Sequence, residues 1–458
     1  MIAQLRELYD SMPVWVKRMV SVVPFGYRLG STFRKTLAFI KESDRWDADR
    51  LQEYQAKELA RLLETSIKHV PYYSKYRKLL SKQPFNILRE IEPISKTEIQ
   101  KNFDLFILPE QLRGAYHKTY TGGSSGKPLK IYQNNDILEM EWAFMIAQWM
   151  RAGYRPGDRR AAFRGVEFKE NRTEIVRENP VYDEILLSPF DLTEEALAEY
   201  VDAIRKFKPG FLRGYPSAIT VLARYILDNG IAPIRSIRSV LCGSEGLIEG
   251  QRELIESAFD ARVFSWYGMS EKVVLAGECE KSHVYHAFPQ YGITEIIDSH
   301  GNVTNEPGTE GEIVGTGFLN RVMPFIRYRL DDSARIVDSR CSECGRNHLL
   351  LTDVVGHRVQ DAIIGKSGSR VSMTAINMHD ATFAGIRQFQ FRQKHPGEVT
   401  LLIKVSRNFT DERRNLVLKS LRAKTRDDIR YDIRIVDSID VSGMGKGVYL
   451  KQELDVPL

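Results

Sequence analysis

Apolar residues recur first with helical spacing. Leu59, Leu62, Leu63, Ile67 and Val70 line one face, which predicts a helix that Pro71 stops. Asp191 with Glu194 reads as a capping box for a helix whose face is Leu197, Val201 and Ile204, ended by Pro209-Gly210. Ile219, Leu222, Ala223 and Ile226 predict the next helix, with Gly230 as its C-terminal cap. Short apolar runs alternate with these helices. Ser239–Cys242 and Arg262–Trp266 predict strands around a helix over 250–259, the rhythm of βαβ units in an α/β domain. Gly311–Gly317 and Pro324–Tyr328 add extended segments.

The C-terminal stretch changes character. Ile386–Gln393 and Val399–Val405 alternate like strands around a His395-Pro-Gly-Glu turn, before a helix over 411–424 and a strand near Tyr431–Val436. This ββαβ order predicts a small, separate α+β domain that begins between Gly356 and Asp361. The expected organisation is an arm over 1–45, a large α/β domain over 46–357 and a small domain over 361–458, with no internal repeat.

Composition narrows the class. A chain of 458 residues is too long for one ordinary core, and 43% hydrophobic with 28% charged residues is the content of a folded protein. Lys+Arg 66 against Asp+Glu 60 leaves +6, an excess too thin to indicate nucleic acid. Four cysteines are too few for a disulfide framework. No signal peptide is expected, nor any run near the ~20 apolar residues of a spanning helix, so the cytoplasm is the expected compartment. One segment complicates this. No acidic residue lies between Asp10 and Glu42, while Lys17, Arg18, Arg28, Arg34 and Lys35 sit among Val14, Trp15, Val16, Met19, Val20, Val22, Val23, Phe25 and Phe33. Residues 12–40 are either a peripheral membrane-surface segment or an arm packed on the main domain, with Pro24 and Gly26 interrupting any long helix.

The densest chemistry is Tyr120-Thr-Gly-Gly-Ser-Ser-Gly-Lys-Pro128. Gly122, Gly123 and Gly126 let backbone amides approach an anion, the hydroxyls of Thr121, Ser124 and Ser125 donate to phosphate oxygens, and Lys127 adds charge. It is not a Walker A loop, which needs Gly where Thr121 stands and Ser or Thr where Pro128 stands. A second cluster is Cys341-Ser-Glu-Cys344 before Gly345, a zinc-knuckle spacing. Cys279 with either His283 or His286 completes a Cys₃His set; the other reading is four reduced, unliganded thiols, with Cys242 buried in its strand.

The phosphate-binding loop resembles that of the acyl-adenylate-forming (AMP-forming) ligase superfamily, and three further motifs follow in the superfamily's order. Trp266-Tyr-Gly-Met-Ser-Glu271 resembles its aromatic-Gly-x-Ser/Thr-Glu motif, Pro324-Phe-Ile-Arg-Tyr-Arg-Leu-Asp-Asp332 its ribose motif, and Gly443-Met-Gly-Lys446 the C-terminal Gly-Lys. His69-Val-Pro-Tyr-Tyr73, Gly214-Tyr-Pro-Ser217 and Gln388-Phe-Gln-Phe391 are similar to the phenylacetate–CoA ligase family, in its capsular-polysaccharide-biosynthesis branch. The resemblance implies a large adenylation domain, a small mobile lid, and use of ATP, Mg²⁺ and coenzyme A. It implies Mg²⁺ on Glu271, phosphate contacts from Ser270 and Thr121–Lys127, and an adenine pocket of Tyr267, Gly268 and the Gly243-Ser244-Glu245 turn. It implies ribose on Asp332, Arg358 facing phosphate, and Lys446 over the α-phosphate and carboxylate. It implies an acyl pocket between Phe163–Val166, Tyr215 and Ser244–Gly246, and it favours His286 over His283 as the ligand of a structural Zn²⁺.

Two departures stand out. Leu330-Asp331 precede Asp332 where Thr-Gly is usual, so Asp331 competes for the ribose role, and Gln360 occupies the hinge position. The implied reaction joins a carboxylic acid to coenzyme A. The alternatives are an amide ligase acting on a sugar acid or amino acid, and a non-catalytic membrane-surface component of a polysaccharide assembly. A phosphotransferase ranks last, because the Walker A pattern fails.

Overall fold

The computed structural model describes residues 14–121, 129–164, 175–190, 192–356, 362–372, 376, 378, 381–406, 409–425, 428–440 and 448–454. The protein is α/β and divides into two compact units, Met1–Gly157 with Trp266–Gly356, and Asp158–Ser265 with His357–Leu458.

In the first unit the predicted helix runs Ala48–His69, capped by Asp47 accepting from the Arg50 amide and stopped ahead of Pro71. Its buried Leu59, Leu63 and Ile67 share a core with Ile293, Ile296, Ile313 and Ile336, where each buried aliphatic side chain contributes roughly 1.5–3 kcal/mol. Those four residues lie on strands Gly292–Ile297, Glu310–Gly317 and Tyr328–Asp338, which pair antiparallel. Leu350–Gly356, Tyr285–Ala287 and Leu275–Glu278 continue the order, each antiparallel to the one before, and Leu275–Gly277 pairs with Trp266–Gly268. A separate hairpin pairs Tyr116–Tyr120 with Lys130–Asn134.

The expected extended segment Pro324–Tyr328 is corrected. The strand begins only at Tyr328, because Arg327 turns through a left-handed φ of 52°. There its guanidinium reaches the Glu295 carboxylate and the Ile91 carbonyl, and its amide donates to Thr316 Oγ1.

The second unit contains the βαβ region. Glu184–Leu187, Arg160–Phe163, Phe211–Gly214, Ser239–Cys242 and Arg262–Ser265 lie side by side and parallel. Helices Glu194–Phe207, Pro216–Asp228 and Gln251–Phe259 bury Leu197, Val201, Ile219, Leu222 and Ile255 against Phe163, Leu212 and Val240. Parallel pairing brings the C-terminal strand ends to one edge, where open α/β sheets bind ligands. The capping box on Asp191 is corrected for the first of these helices. Thr193 is the N-cap, its Oγ1 accepting from the Ala196 amide.

The C-terminal portion has its own four-stranded sheet in the order Arg430–Ile435, Glu398–Val405, Ile386–His395, Leu450–Gln452. Helix Asp411–Thr425 packs Val417 and Leu421 into a core with Phe391, Leu401 and Ile433. The pattern is the predicted ββαβ with one added strand, Leu450–Gln452, parallel to Ile386–His395.

Candidate functional site

In sequence, the glycine-rich stretch connects the paired strands Tyr116–Tyr120 and Lys130–Asn134. Gly122, Gly123, Ser124, Ser125, Gly126 and Lys127 lie outside the described residues, as do Arg358 and Lys446. The base of the loop is described. Thr121 Oγ1 accepts from the Leu129 amide at 2.9 Å while the Thr121 amide donates to the Leu129 carbonyl at 3.0 Å. This closes the stem and leaves the Thr121 O–H available to donate. Below it, Gln133 Nε2 donates to the Ser270 carbonyl at 2.9 Å, and Asn320 Nδ2 to the Tyr132 carbonyl at 3.0 Å. The hairpin is thereby fastened to the segment that carries Ser270 and Glu271.

That segment follows strand Arg262–Gly268. The Tyr267 hydroxyl donates to Asp332 Oδ2 at 2.7 Å, and the Tyr328 hydroxyl to Glu271 Oε1 at 3.1 Å. Of the two candidate ribose residues, Asp332 is half-buried and bonded to Tyr267, whereas Asp331 is exposed with a left-handed φ of 55°. Glu271 is 8% exposed, so one carboxylate oxygen is held by Tyr328 in a setting where a divalent cation would compensate its charge. Sequence reading assigned no role to Gln133 or to Tyr328. Tyr328 lay inside a quoted motif, but Gln133 gave no signal, since its partner is 137 residues away.

The cysteine set also lies in this unit. Cys279 follows Leu275–Glu278, His286 sits on Tyr285–Ala287, and Cys341 and Cys344 lie in a turn tightened by the Gly345 amide donating to the Cys341 carbonyl. The four ligand atoms fall within 4.8 Å of one another. Cys279 Sγ is 3.9 Å from Cys341 Sγ, and Cys344 Sγ is 3.9 Å from His286 Nε2. A tetrahedron with metal–sulfur bonds of ~2.3 Å has edges of ~3.8 Å, so the donor set fits zinc. Burial, reinforced by Arg151 and Arg346, pushes the His286 imidazole down to about 3, leaving the neutral form that ligates metals. His283, the other histidine considered, is exposed and faces Glu278, so the geometry selects His286. Arg346 braces the turn on Asp44 Oδ2 at 2.6 Å and on both Glu280 oxygens.

In the second unit, three stretches that the resemblance implicates come together at the parallel strand ends. Phe163 and Arg164 end one strand, Gly214-Tyr215 the next, and Cys242-Gly243-Ser244 the third; Val166 lies outside the described residues. A Cβ on Gly214 would stand 2.7 Å from Phe163 Cβ and 2.9 Å from its carbonyl oxygen, so only glycine allows this approach. Ser244 adopts a left-handed φ of 67°. Glu245 then reaches back to the first turn of the Pro216–Asp228 helix, accepting from the Ser217 amide and hydroxyl at 3.0 Å each.

The same edge is cationic. Ala162 is the register partner of Arg213, so strand alternation puts Arg160, Arg164 and Arg213 on one sheet face, with Glu184 beside Arg160 at 2.8 Å. Burial, then the like charges of Arg164 and Arg160, push Arg213 down to about 9, with Glu184 opposing. Burial alone would raise the Glu184 carboxyl, but Arg160, Arg164 and Arg213 hold it below the usual carboxylate range.

Comparisons with known proteins find relatives in sequence and in fold. Residues 363–453 match the family described as the CapK C-terminal domain. Protein CapK of Staphylococcus aureus is 25% identical over 341 residues, 73% of this chain and 72% of that protein. The phenylacetate-coenzyme A ligase of Escherichia coli (strain K12) is 25% identical over 305 residues, 63% of this chain and 68% of that enzyme. A crystal structure of 2-hydroxyisobutyryl-CoA ligase in the postadenylation state, in complex with R3-HIB-AMP, superposes with a TM-score of 0.67 at 15% identity. It covers 90% of this chain and 91% of that one, which shows the shared fold. With its four motifs in order, its α/β fold and its matched C-terminal domain, the chain is similar to the adenylate-forming ligases, with CapK and a phenylacetate-coenzyme A ligase among its relatives.

Proposed function

We propose that this protein activates a carboxylic acid with Mg-ATP and passes the acyl group to coenzyme A or to an amine. The reading rests on the two tyrosine–carboxylate bonds, Tyr267 to Asp332 and Tyr328 to Glu271, beside a hairpin fastened to Ser270. In the first step an oxygen of the acid attacks the α-phosphorus, the α–β P–O bond breaks, and pyrophosphate leaves. Glu271 is the residue to hold Mg²⁺, Asp332 to accept from the ribose hydroxyls, and Tyr267 to flank the base. Lys446 and Arg358 are assigned to the charge that develops at phosphorus and carboxylate. In the second step the thiol or amine attacks the acyl carbonyl, loses its proton, and AMP leaves.

The acid we expect is polar. Arg164 and Arg213 at the strand ends favour an acid with further oxygen functions, such as a sugar acid, over a plain aromatic one. This accords with a role in surface-polysaccharide biosynthesis, in keeping with the branch the sequence resembles, and with a cytoplasmic enzyme. The Cys279/His286/Cys341/Cys344 set is read as a structural Zn²⁺ site, because all four positions of a tetrahedron are filled by protein. The deciding experiment is acid-dependent release of pyrophosphate from Mg-ATP across aromatic, uronic and amino acids, with Lys446→Ala as control. Release that needs one acid class and collapses in the variant supports the reading. Formation of ADP in place of AMP would refute it. Adding coenzyme A or amines then distinguishes thioester from amide formation.

A further inference from the structure

The N-terminal arm separates into an anchored half and a displayed half. Phe25, Phe33 and Ile40 are buried, and Glu139 Oε2 accepts from the Thr32 and Phe33 amides at 3.1 and 3.3 Å, fixing the start of helix Ser31–Ser43. Between and before these anchors, Trp15 is 67% exposed, Met19 65%, Val22 83%, Val23 44% and Tyr27 64%. Among the described residues, five of the fifteen large exposed apolar side chains therefore fall within 15–27. Trp15 and Met19 are one helical turn apart on Val14–Val20. The turn beyond is held in shape by Arg28, whose Nε donates to the Val23 carbonyl and Nη2 to the Ser21 carbonyl. Arg34 lies over the Tyr27 ring, 4.3 Å from its centroid.

The charges along this segment have one sign, and the carboxylate of Glu139 meets it at the Thr32 and Phe33 amides. Arg18, Lys35 and Lys41 are exposed and Lys17, Arg28 and Arg34 half-buried, with no acidic residue from Ser11 to Lys41. Among the described residues no helix is long and apolar enough to cross a membrane. A short apolar ridge ringed by bases matches an anionic bilayer surface, where the ridge enters the acyl boundary and the bases meet headgroups. We propose that residues 15–41 dock this protein peripherally on membranes containing anionic lipid.

The test is flotation of the full-length chain with phosphatidylcholine vesicles holding about one third phosphatidylglycerol, against phosphatidylcholine alone. The expected result is flotation with the anionic vesicles that weakens as salt rises, is about five-fold lower for each of Arg18→Gln and Lys35→Gln, and is lost in Trp15→Glu/Val22→Glu. The thermal transition of these variants should match wild type, because the side chains are exposed. Absence of flotation with anionic vesicles, or flotation indifferent to Trp15→Glu/Val22→Glu, would overturn the proposal. Flotation that appears only after deletion of residues 2–13 would show that the chain's own start covers the ridge. Self-association abolished by Val22→Glu in sedimentation equilibrium, without flotation, would assign the ridge to a second copy.

Discussion

The bond from the Tyr267 hydroxyl to Asp332 Oδ2 gives a sharp test of nucleotide binding. Its length is 2.7 Å and its acceptor is a carboxylate, a class of bond that contributes about 1.5–3 kcal/mol when buried. Both residues are only half-buried, so water partly replaces the lost hydroxyl in Tyr267→Phe and about 1 kcal/mol is expected, or roughly a five-fold weaker Kd for Mg-ATP. Asp332→Asn removes the charge meant for the ribose hydroxyls and should weaken binding by about 2 kcal/mol, roughly thirty-fold. Asp331→Asn should stay within about two-fold, since Asp331 is exposed and asparagine tolerates its left-handed backbone. Isothermal titration calorimetry with Mg-ATP and with its 2′,3′-dideoxy analogue reads these effects without knowledge of the acid. Wild type should prefer ATP strongly, and Asp332→Asn should lose most of that preference. If the preference survives in Asp332→Asn and disappears in Asp331→Asn, the ribose assignment is wrong.

Three further outcomes follow from the geometry. Elemental analysis should find one zinc per chain, and Cys341→Ser should lose it and lower Tm by at least about 5 °C, since metal-binding free energy is folding free energy; an unchanged Tm in metal-free protein would count against the site. Gly214→Ala places a Cβ 2.7 Å from Phe163 Cβ and should cost about 1–3 kcal/mol in urea unfolding, together with weaker use of the acid; wild-type behaviour would show that the strand ends can spread. Glu184 titrates below the usual range in the folded chain, so the stability it confers is present above the ordinary carboxylate pKa and is lost as pH falls through the folded value. Glu184→Gln should lose about 3–5 kcal/mol at neutral pH, because Arg160 stays buried without its counter-charge. Its unfolding should also depend less on pH in the acid range, and an unchanged slope would place the acid sensitivity elsewhere.

Local patterns in the sequence foretold the elements and the order of the motifs. Ser239–Cys242 is a strand with the predicted bounds, and the 411–424 helix is in place at Asp411–Thr425. Choices that depend on pairing were not readable. Spacing alone leaves His283 and His286 equivalent, and only the family resemblance favours His286; antiparallel pairing sets His286 opposite Gly277 and buries it, while His283 lies in the turn between strands. Asp191 and Thr193 are both good caps, and the register of the helix on its core decides for Thr193. In the arm, Val22 and Phe25 look alike by hydropathy, yet one is exposed and the other buried. What separates them is whether a distant residue lies opposite, and periodicity carries no such information.

The salt bridges of Asp44 limit how freely the N-terminus can be exchanged. Its carboxylate meets Arg346 at 2.6 Å and Arg151 at 3.4 Å, and both arginine side chains are almost wholly enclosed. A truncation that removes Asp44 therefore deprives the enclosed Arg151 of its carboxylate partner and leaves Arg346 to Glu280 alone, at a cost of several kcal/mol. A truncation that stops before Gly30 spares this network. It also spares the Glu139 contacts to Thr32 and Phe33. A leader of different chemistry could be grafted upstream of Gly30 by a single recombination event. Downstream of that point the arm is bound to the core's charge balance, and a graft there would need compensating changes at Arg151 and Arg346.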